Sequence, residues 1–160
     1  MCTQINIKTP ADCSKTELAE FEKLVTKADE VTPVGLSERI RRAQLVGFHL
    51  INGITISVAA IKTPTEHYKQ SVFQKAGTPE NANVYLSELG WAFTEERFRR
   101  QHLCDQLINA LLSNFSKPLF ATTRITNAGM QFILEKYDFK QVGRPYPGKI
   151  GDLFLYVRDY

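Results

Sequence analysis

Polar and apolar residues alternate from Thr3 to Lys8, the period of a strand with one buried face. Ser14-Lys15-Thr16-Glu17 then has the form of a capping box, in which serine and glutamate each satisfy an exposed amide at a helix start. Leu18, Phe21 and Val25 follow at helical spacing and predict a helix over about residues 15–28. Ser37–Arg42 fits a short second helix. Gln44–Ile51 and Ile54–Lys62 read as strands. Between them lies Asn52-Gly53, two residues that tolerate the positive φ of a type I′ hairpin turn. Ser57–Ile61 is nearly all small and apolar, which predicts a strand buried on both faces.

Thr63-Pro64-Thr65-Glu66 supplies a cap, a proline for the first helical position and a glutamate, and Gly77 is a natural stop. A helix over about residues 64–76 is predicted, then a loop at Thr78–Ala82. Val84–Phe93 reads as a strand. Leu103, Leu107, Leu111 and Phe115 recur every fourth residue, with Ile108 and Leu112 beside them, so Phe98–Phe115 reads as one amphipathic helix. Leu119–Thr123 is a short strand. Met130, Ile133, Leu134 and Tyr137 line a further helix capped by Thr126 or Asn127. Phe139–Val142 and Leu153–Val157 close the chain as strands, joined by a loop holding Pro145, Pro147, Gly148 and Gly151. This order predicts an α/β or α+β fold, helices covering a mixed sheet.

The 160 residues suit one domain that buries its own core, and 43% apolar with 23% charged residues mark a globular chain. Cys2, Cys13 and Cys104 are odd in number and lack metal-site spacing, against a disulfide framework or a zinc site. That usage, and an N-terminus without a basic region before an apolar run, lead to a cytoplasmic expectation. No apolar stretch is long enough for a bilayer, so no membrane partner is expected. A net charge of +3, spread along the chain, hints at an anionic ligand and argues against a dedicated nucleic-acid binder.

Arg99-Arg100-Gln101-His102-Leu103-Cys104 follows a strand and opens a helix. It resembles the Q/R-x-x-G-x-G/A motif of the GNAT acetyltransferases, with His102 at the first glycine and Cys104 at the small residue. Leu119–Arg124 followed by Thr126-Asn127 is similar to the family's fifth strand and next helix. Leu134-Glu135-Lys136-Tyr137-Asp138-Phe139 resembles the family's Y-E-K-L-G-F, with Leu134 at the tyrosine that often serves as general acid and Asp138 at the glycine. The resemblance spans nearly the whole chain. It implies a mixed, mostly antiparallel sheet with splayed central strands, flanked by helices: one GNAT-like domain, residues 1–160, with an inserted helix at about 63–82.

The resemblance also implies chemistry. Acetyl-CoA is the expected cosubstrate and no metal is needed. Amides at Arg99, Arg100, Gln101, His102, Leu103 and Cys104 would hold its pyrophosphate, those of Trp91, Ala92 and Phe93 its acyl carbonyl, and Asn127 its arm. Glu88 matches the family's catalytic glutamate and is the candidate general base, because a protonated amine must lose a proton before attack. Alternation places Glu88, Gly90 and Ala92 on one face and Leu89, Trp91 and Phe93 on the other. A paired structural glutamate is the plainer reading of Glu88. The expected acceptor is a small-molecule or protein amine, and a homodimer stays open. The alternative function is a catalytically silent acyl-CoA-binding or regulatory module. His49 reads as structural or exposed, His67 as solvated and Tyr137 as a core residue. For Thr63–Ala82 two readings stand: a lid on the acceptor side with His67, Tyr68 and Phe73 as contacts, or a cover on the sheet.

Overall fold

The capping box at Ser14 closes: Oγ accepts from the Glu17 amide at 3.0 Å, and the Ser14 amide donates to Glu17 Oε1 at 2.8 Å. Such a cap stabilises a helix start by about 1 kcal/mol. The computed structural model describes residues 2–28 and 30–160. In chain order its elements are β1 (Thr3–Lys8), α1 (Lys15–Lys27), α2 (Leu36–Arg41), β2 (Leu45–Ile51), β3 (Ile54–Lys62), α3 (Glu66–Lys75), β4 (Ser87–Thr94), α4 (Leu103–Ser113), β5 (Leu119–Arg124), α5 (Ala128–Lys136), β6 (Lys140–Pro147) and β7 (Asp152–Arg158). The strands form a mixed, mostly antiparallel sheet flanked by helices. Among the described residues no helix is long and apolar enough to cross a membrane. The chain forms two compact units and passes between them after Lys62, after Leu89 inside β4, and after Phe115.

The first unit comprises Met1–Lys62 and Gly90–Phe115, with strand order β1-β2-β3-β4. Asn52 and Gly53 take φ of 50° and 80°, as the tight turn between Ile51 and its partner Ile54 requires. Phe21, Leu24, Leu36 and Ile40 of α1 and α2 pack on Val46, Phe48 and Val58. Gly47, on the alternate face of β2, lets α4 come close: a Cβ there would lie 2.9 Å from Leu107 Cδ1. With both faces covered, every residue from Ile56 to Ile61 is buried, as the apolar run predicts.

The second unit comprises Thr63–Leu89 and Ser116–Tyr160, with order β4-β5-β7-β6. β4 pairs with β5 in parallel only at Ser87↔Leu119 and Glu88↔Phe120, as short a pairing as splayed strands predict. α3 starts at Glu66, because Thr65 Oγ1 takes the Tyr68 amide at 3.2 Å; Pro64 precedes the helix instead of opening it. Val72, Phe73 and Ala76 of α3 pack on Tyr85, Phe120, Tyr146 and Leu155. Phe73 is fully buried and stacks on Tyr85, so it is a core residue and not a lid contact. The expected loop at Thr78–Ala82 is instead a 3-10 helix, Pro79–Asn83. The strand expected from Val84 begins at Ser87. β6 runs on through Pro145 and Pro147, with a register shift between Val142 and Tyr146. There the Arg144 amide donates to Ala76 O at 2.9 Å, and Gly143 sits where a Cβ would be 2.1 Å from that oxygen. This contact fastens the end of α3 to β6.

Candidate functional site

The candidate residues fall into two groups, one in each unit. In the first, β4 runs through Trp91, Ala92 and Phe93. Trp91 stands at φ 53°, rare for a bulky side chain, and breaks the regular pleat. Trp91 and Phe93 still both pack against the Phe21 core, as alternation predicts. The Trp91 ring meets Phe21 edge-on at 6.2 Å, and Lys62 Nζ lies 4.9 Å from its centroid. Gly90 makes room for that lysine, since a Cβ there would come 2.9 Å from Lys62 Cδ. The Ser57 hydroxyl donates to Phe93 O at 3.1 Å.

Beyond β4 the chain makes a 3-10 turn, Glu96–Phe98, and α4 begins only at Leu103, five residues later than the apolar stripe predicts. The reason is local. Arg100 and His102 both adopt left-handed backbone, φ 63° and 60°, and interrupt any helix. Arg99 is tied back to the strand end: its Nε donates to Thr94 O at 2.9 Å and its guanidinium lies 5.4 Å from the Phe93 ring centroid. Among the described residues no backbone carbonyl accepts from the amides of Arg100, Gln101, His102, Leu103 or Cys104. Successive amides outside the backbone ladder on such a turn, ahead of a helix N-terminus, can make an anion-binding concavity. Arg99, Arg100, Gln101 and His102 are exposed there. Burial, then the nearby Asp105 charge, pushes the Cys104 thiol up to about 12, away from the thiolate form that a nucleophile needs. His49 is buried, with Nδ1 3.4 Å from Leu103 O, the first carbonyl of α4, and desolvation lowers its pKa.

The second group centres on Glu88, only 2% exposed. A carboxylate so deep is costly without partners. The Tyr68 hydroxyl, from α3, donates to Glu88 Oε2 at 3.1 Å. The Glu88 charge is the main reason the Tyr68 phenol is held above its ordinary pKa; burial adds to it, and a hydrogen bond with Thr122 opposes it. Tyr146 is 4% exposed, and its hydroxyl has no hydrogen-bond partner among the described residues. Burial first, then the Glu88 charge, raises its pKa as well. Both phenols therefore stay protonated at neutral pH. The sequence reading named Tyr68 only as a lid contact and missed Tyr146 and Thr122. Tyr146 lies between two prolines in a segment read as loop, and its link to Glu88 is long-range. Asn127 is exposed and caps α5, its Oδ1 taking the Met130 amide at 3.1 Å. His67 is exposed, as expected.

Neither a family model nor a curated relative matches the sequence. Solved structures do match the fold. Escherichia coli ElaA superposes with a TM-score of 0.74 at 14% identity, over 99% of this chain and 100% of that one. An acyl-CoA N-acyltransferase from Pseudomonas aeruginosa gives 0.71 at 15%, over 98% and 99%. A GNAT family acetyltransferase from Elizabethkingia anophelis, with acetyl-CoA bound, gives 0.63 at 13%, over 99% and 98%. This chain has the GNAT fold. Its departures from the GNAT motifs keep the backbone where they lose the residue. His102 takes positive φ in place of the first glycine, and Asp138 does so at φ 67° in place of the later one. The Asp138 turn closes α5, with the Phe139 amide donating to Leu134 O at 2.9 Å. Leu134, at the GNAT tyrosine position, is buried and carries no acid. Tyr137 is half-buried rather than core, its carbonyl accepting from Arg158 Nε at 2.8 Å.

Proposed function

We propose that the chain is an N-acetyltransferase that uses acetyl-CoA on an amine, with Glu88 as general base. The observation that carries this reading is the run of five amides from Arg100 to Cys104 without backbone acceptors, set on two left-handed residues at the start of α4. That donor set fits a pyrophosphate, and Arg99 and Arg100 add positive charge beside it. The Asn127 side chain, already the α5 cap, is the further candidate contact for the CoA arm. Bound acetyl-CoA supplies an activated acetyl group. The amides of Trp91, Ala92 and Phe93 are the candidate donors to its carbonyl oxygen, where negative charge develops. The acceptor arrives as an ammonium; Glu88 takes one proton, the neutral nitrogen bonds to the carbonyl carbon and releases a second proton to solvent, and the C–S bond breaks as the thiolate leaves. With Leu134 in place of a tyrosine, and both phenols near Glu88 held protonated, the thiolate takes its proton from solvent.

Acetyl-CoA should raise the melting temperature, because a ligand that binds only the folded chain stabilises it. No shift at millimolar acetyl-CoA would overturn the assignment. Release of CoA across a panel of amines and peptides would then identify the acceptor. The buried Leu134 favours one second reading, a silent acyl-CoA-binding module. Stabilisation by acetyl-CoA with no CoA release on any acceptor would support that reading instead.

A further inference from the structure

Three elements of the second unit converge on Glu88. α3 brings Tyr68, β4 the carboxylate, and β6 Tyr146. The Arg144–Ala76 hydrogen bond of 2.9 Å fastens α3 to β6 two residues before Tyr146, so the two phenols are set by one clamp. Their situations differ. Tyr68 is 39% exposed while its hydroxyl touches a carboxylate that is 2% exposed, so its ring spans from solvent to the buried oxygen. Tyr146 shows 4% of its surface, and its hydroxyl lies buried with no protein partner among the described residues. A buried hydroxyl without a partner is costly, and such groups call for a functional account.

We propose that Tyr68 is a gate that occupies the place of the acceptor's ammonium on Glu88, and that the Tyr146 hydroxyl oxygen is the second contact for that ammonium. This rests on the acyltransferase reading for its purpose, and names a primary ammonium as the chemical class admitted. A carboxylate accepts at about four lone-pair sites, and a primary ammonium offers three donors, so one nitrogen can engage both Glu88 and a phenol oxygen. The phenols are neutral and protonated and do not compete with the cation by charge. A rotamer change of the partly exposed Tyr68 ring opens the carboxylate without moving α3, whose buried face and C-terminal end stay fixed.

The probe is n-butylammonium chloride at neutral pH, added without acetyl-CoA to protein carrying isotope-labelled glutamate carboxyl carbons. The Glu88 NMR resonance is assigned with Glu88→Gln. A saturable shift is expected with n-butylammonium and none with n-butanol. Tyr68→Phe removes the competing hydroxyl and should tighten binding about tenfold; Tyr146→Phe removes a contact and should weaken it about fivefold or more. Tyr146→Phe should also raise the melting temperature, since it deletes an unpartnered buried hydroxyl. No saturable shift in either the parent or Tyr68→Phe overturns the proposal, as does weaker binding in Tyr68→Phe. Unchanged binding in Tyr146→Phe, with a raised melting temperature, would make that hydroxyl a packing defect and also overturn it. Failure of acetyl-CoA to stabilise the protein would instead remove the acyltransferase reading and leave the ammonium result standing.

Discussion

At the start of α4 the candidate groups are backbone amides, whereas around Glu88 they are side chains contributed by separate elements. The difference explains what each region demands of the sequence. Amides from Arg100 to Cys104 belong to any residue that can adopt the turn, so His102 can stand at a glycine position if it accepts φ 60°. The Glu88 cluster has no such latitude. Its phenols must come from α3 and β6, and their placement depends on how those elements pack. Breaking the packing should therefore damage the second region, and changing the backbone should damage the first.

The largest effect is expected from Phe73→Ala. Phe73 is fully buried between Tyr85 and Phe120, and deleting such a side chain costs about 3–5 kcal/mol. Urea unfolding should show the loss. A cost under about 1 kcal/mol would mean that α3 is the loosely attached lid that its sequence also allowed. For the same reason, replacing the whole helix by a short turn would remove core and would not report on a lid.

Glu88→Gln comes next. It keeps size and hydrogen bonding but cannot take a proton, so CoA release should fall by about 10²–10⁴-fold. The acetyl-CoA dissociation constant, measured by calorimetry, should stay within about twofold, because the groups proposed to bind it lie in the other region. The defect should shrink at high pH, where the amine deprotonates unaided. An unchanged pH–rate profile removes Glu88 from the chemistry.

At His102 two substitutions separate backbone from side chain. Glycine relieves the left-handed strain and should keep acetyl-CoA affinity while stabilising the fold by about 1 kcal/mol. Valine, β-branched, resists that conformation and should weaken acetyl-CoA about tenfold or more. If His102→Gly weakens binding as much as His102→Val does, the imidazole itself contacts the anion.

How legible each region was follows the same division. The Ser14–Glu17 box, the Asn52-Gly53 turn and the Ser57–Ile61 run are short-range signals with one physical solution each, and all three form as read. The start of α4 was misread because the leucine stripe continues back to Phe98, while the left-handed residues that stop it carry no mark of their own. Val72, Phe73 and Ala76 look like any amphipathic helix face; whether that face meets a core or an open cleft is decided by β5, β6 and β7, far along the chain. Glu88 is picked out as a candidate by resemblance alone. Tyr146 is not, because its prolines make the stretch after Val142 read as a loop, whereas β6 runs on past Ala76 along a bulged path.

The smallest effect expected is a pH dependence at His49, a buried side chain beside the first carbonyl of α4. Its Nδ1 lies 3.4 Å from Leu103 O, and desolvation lowers its folded-state pKa below the ordinary 6.5. In the unfolded chain the imidazole regains its ordinary value. As pH falls through about 6.5 the unfolded state therefore takes up a proton before the folded state does, and stability declines. The contribution is complete above the unfolded pKa and is lost progressively as pH falls toward the lower folded value. Glu17, whose pKa is lowered mainly by its hydrogen bond with Lys8, follows a carboxylate's schedule and loses its contribution only below the ordinary 4.5, a separate window. Unfolding free energies between neutral pH and about pH 5 should thus slope downward in the parent and flatten in His49→Gln, which has no titratable ring. Because the imidazole reaches the first carbonyl of α4 and none of the five amides, acetyl-CoA affinity should change little in that variant. A clear loss of affinity would show that the amide site depends on a side chain after all, and would narrow the contrast between the two regions.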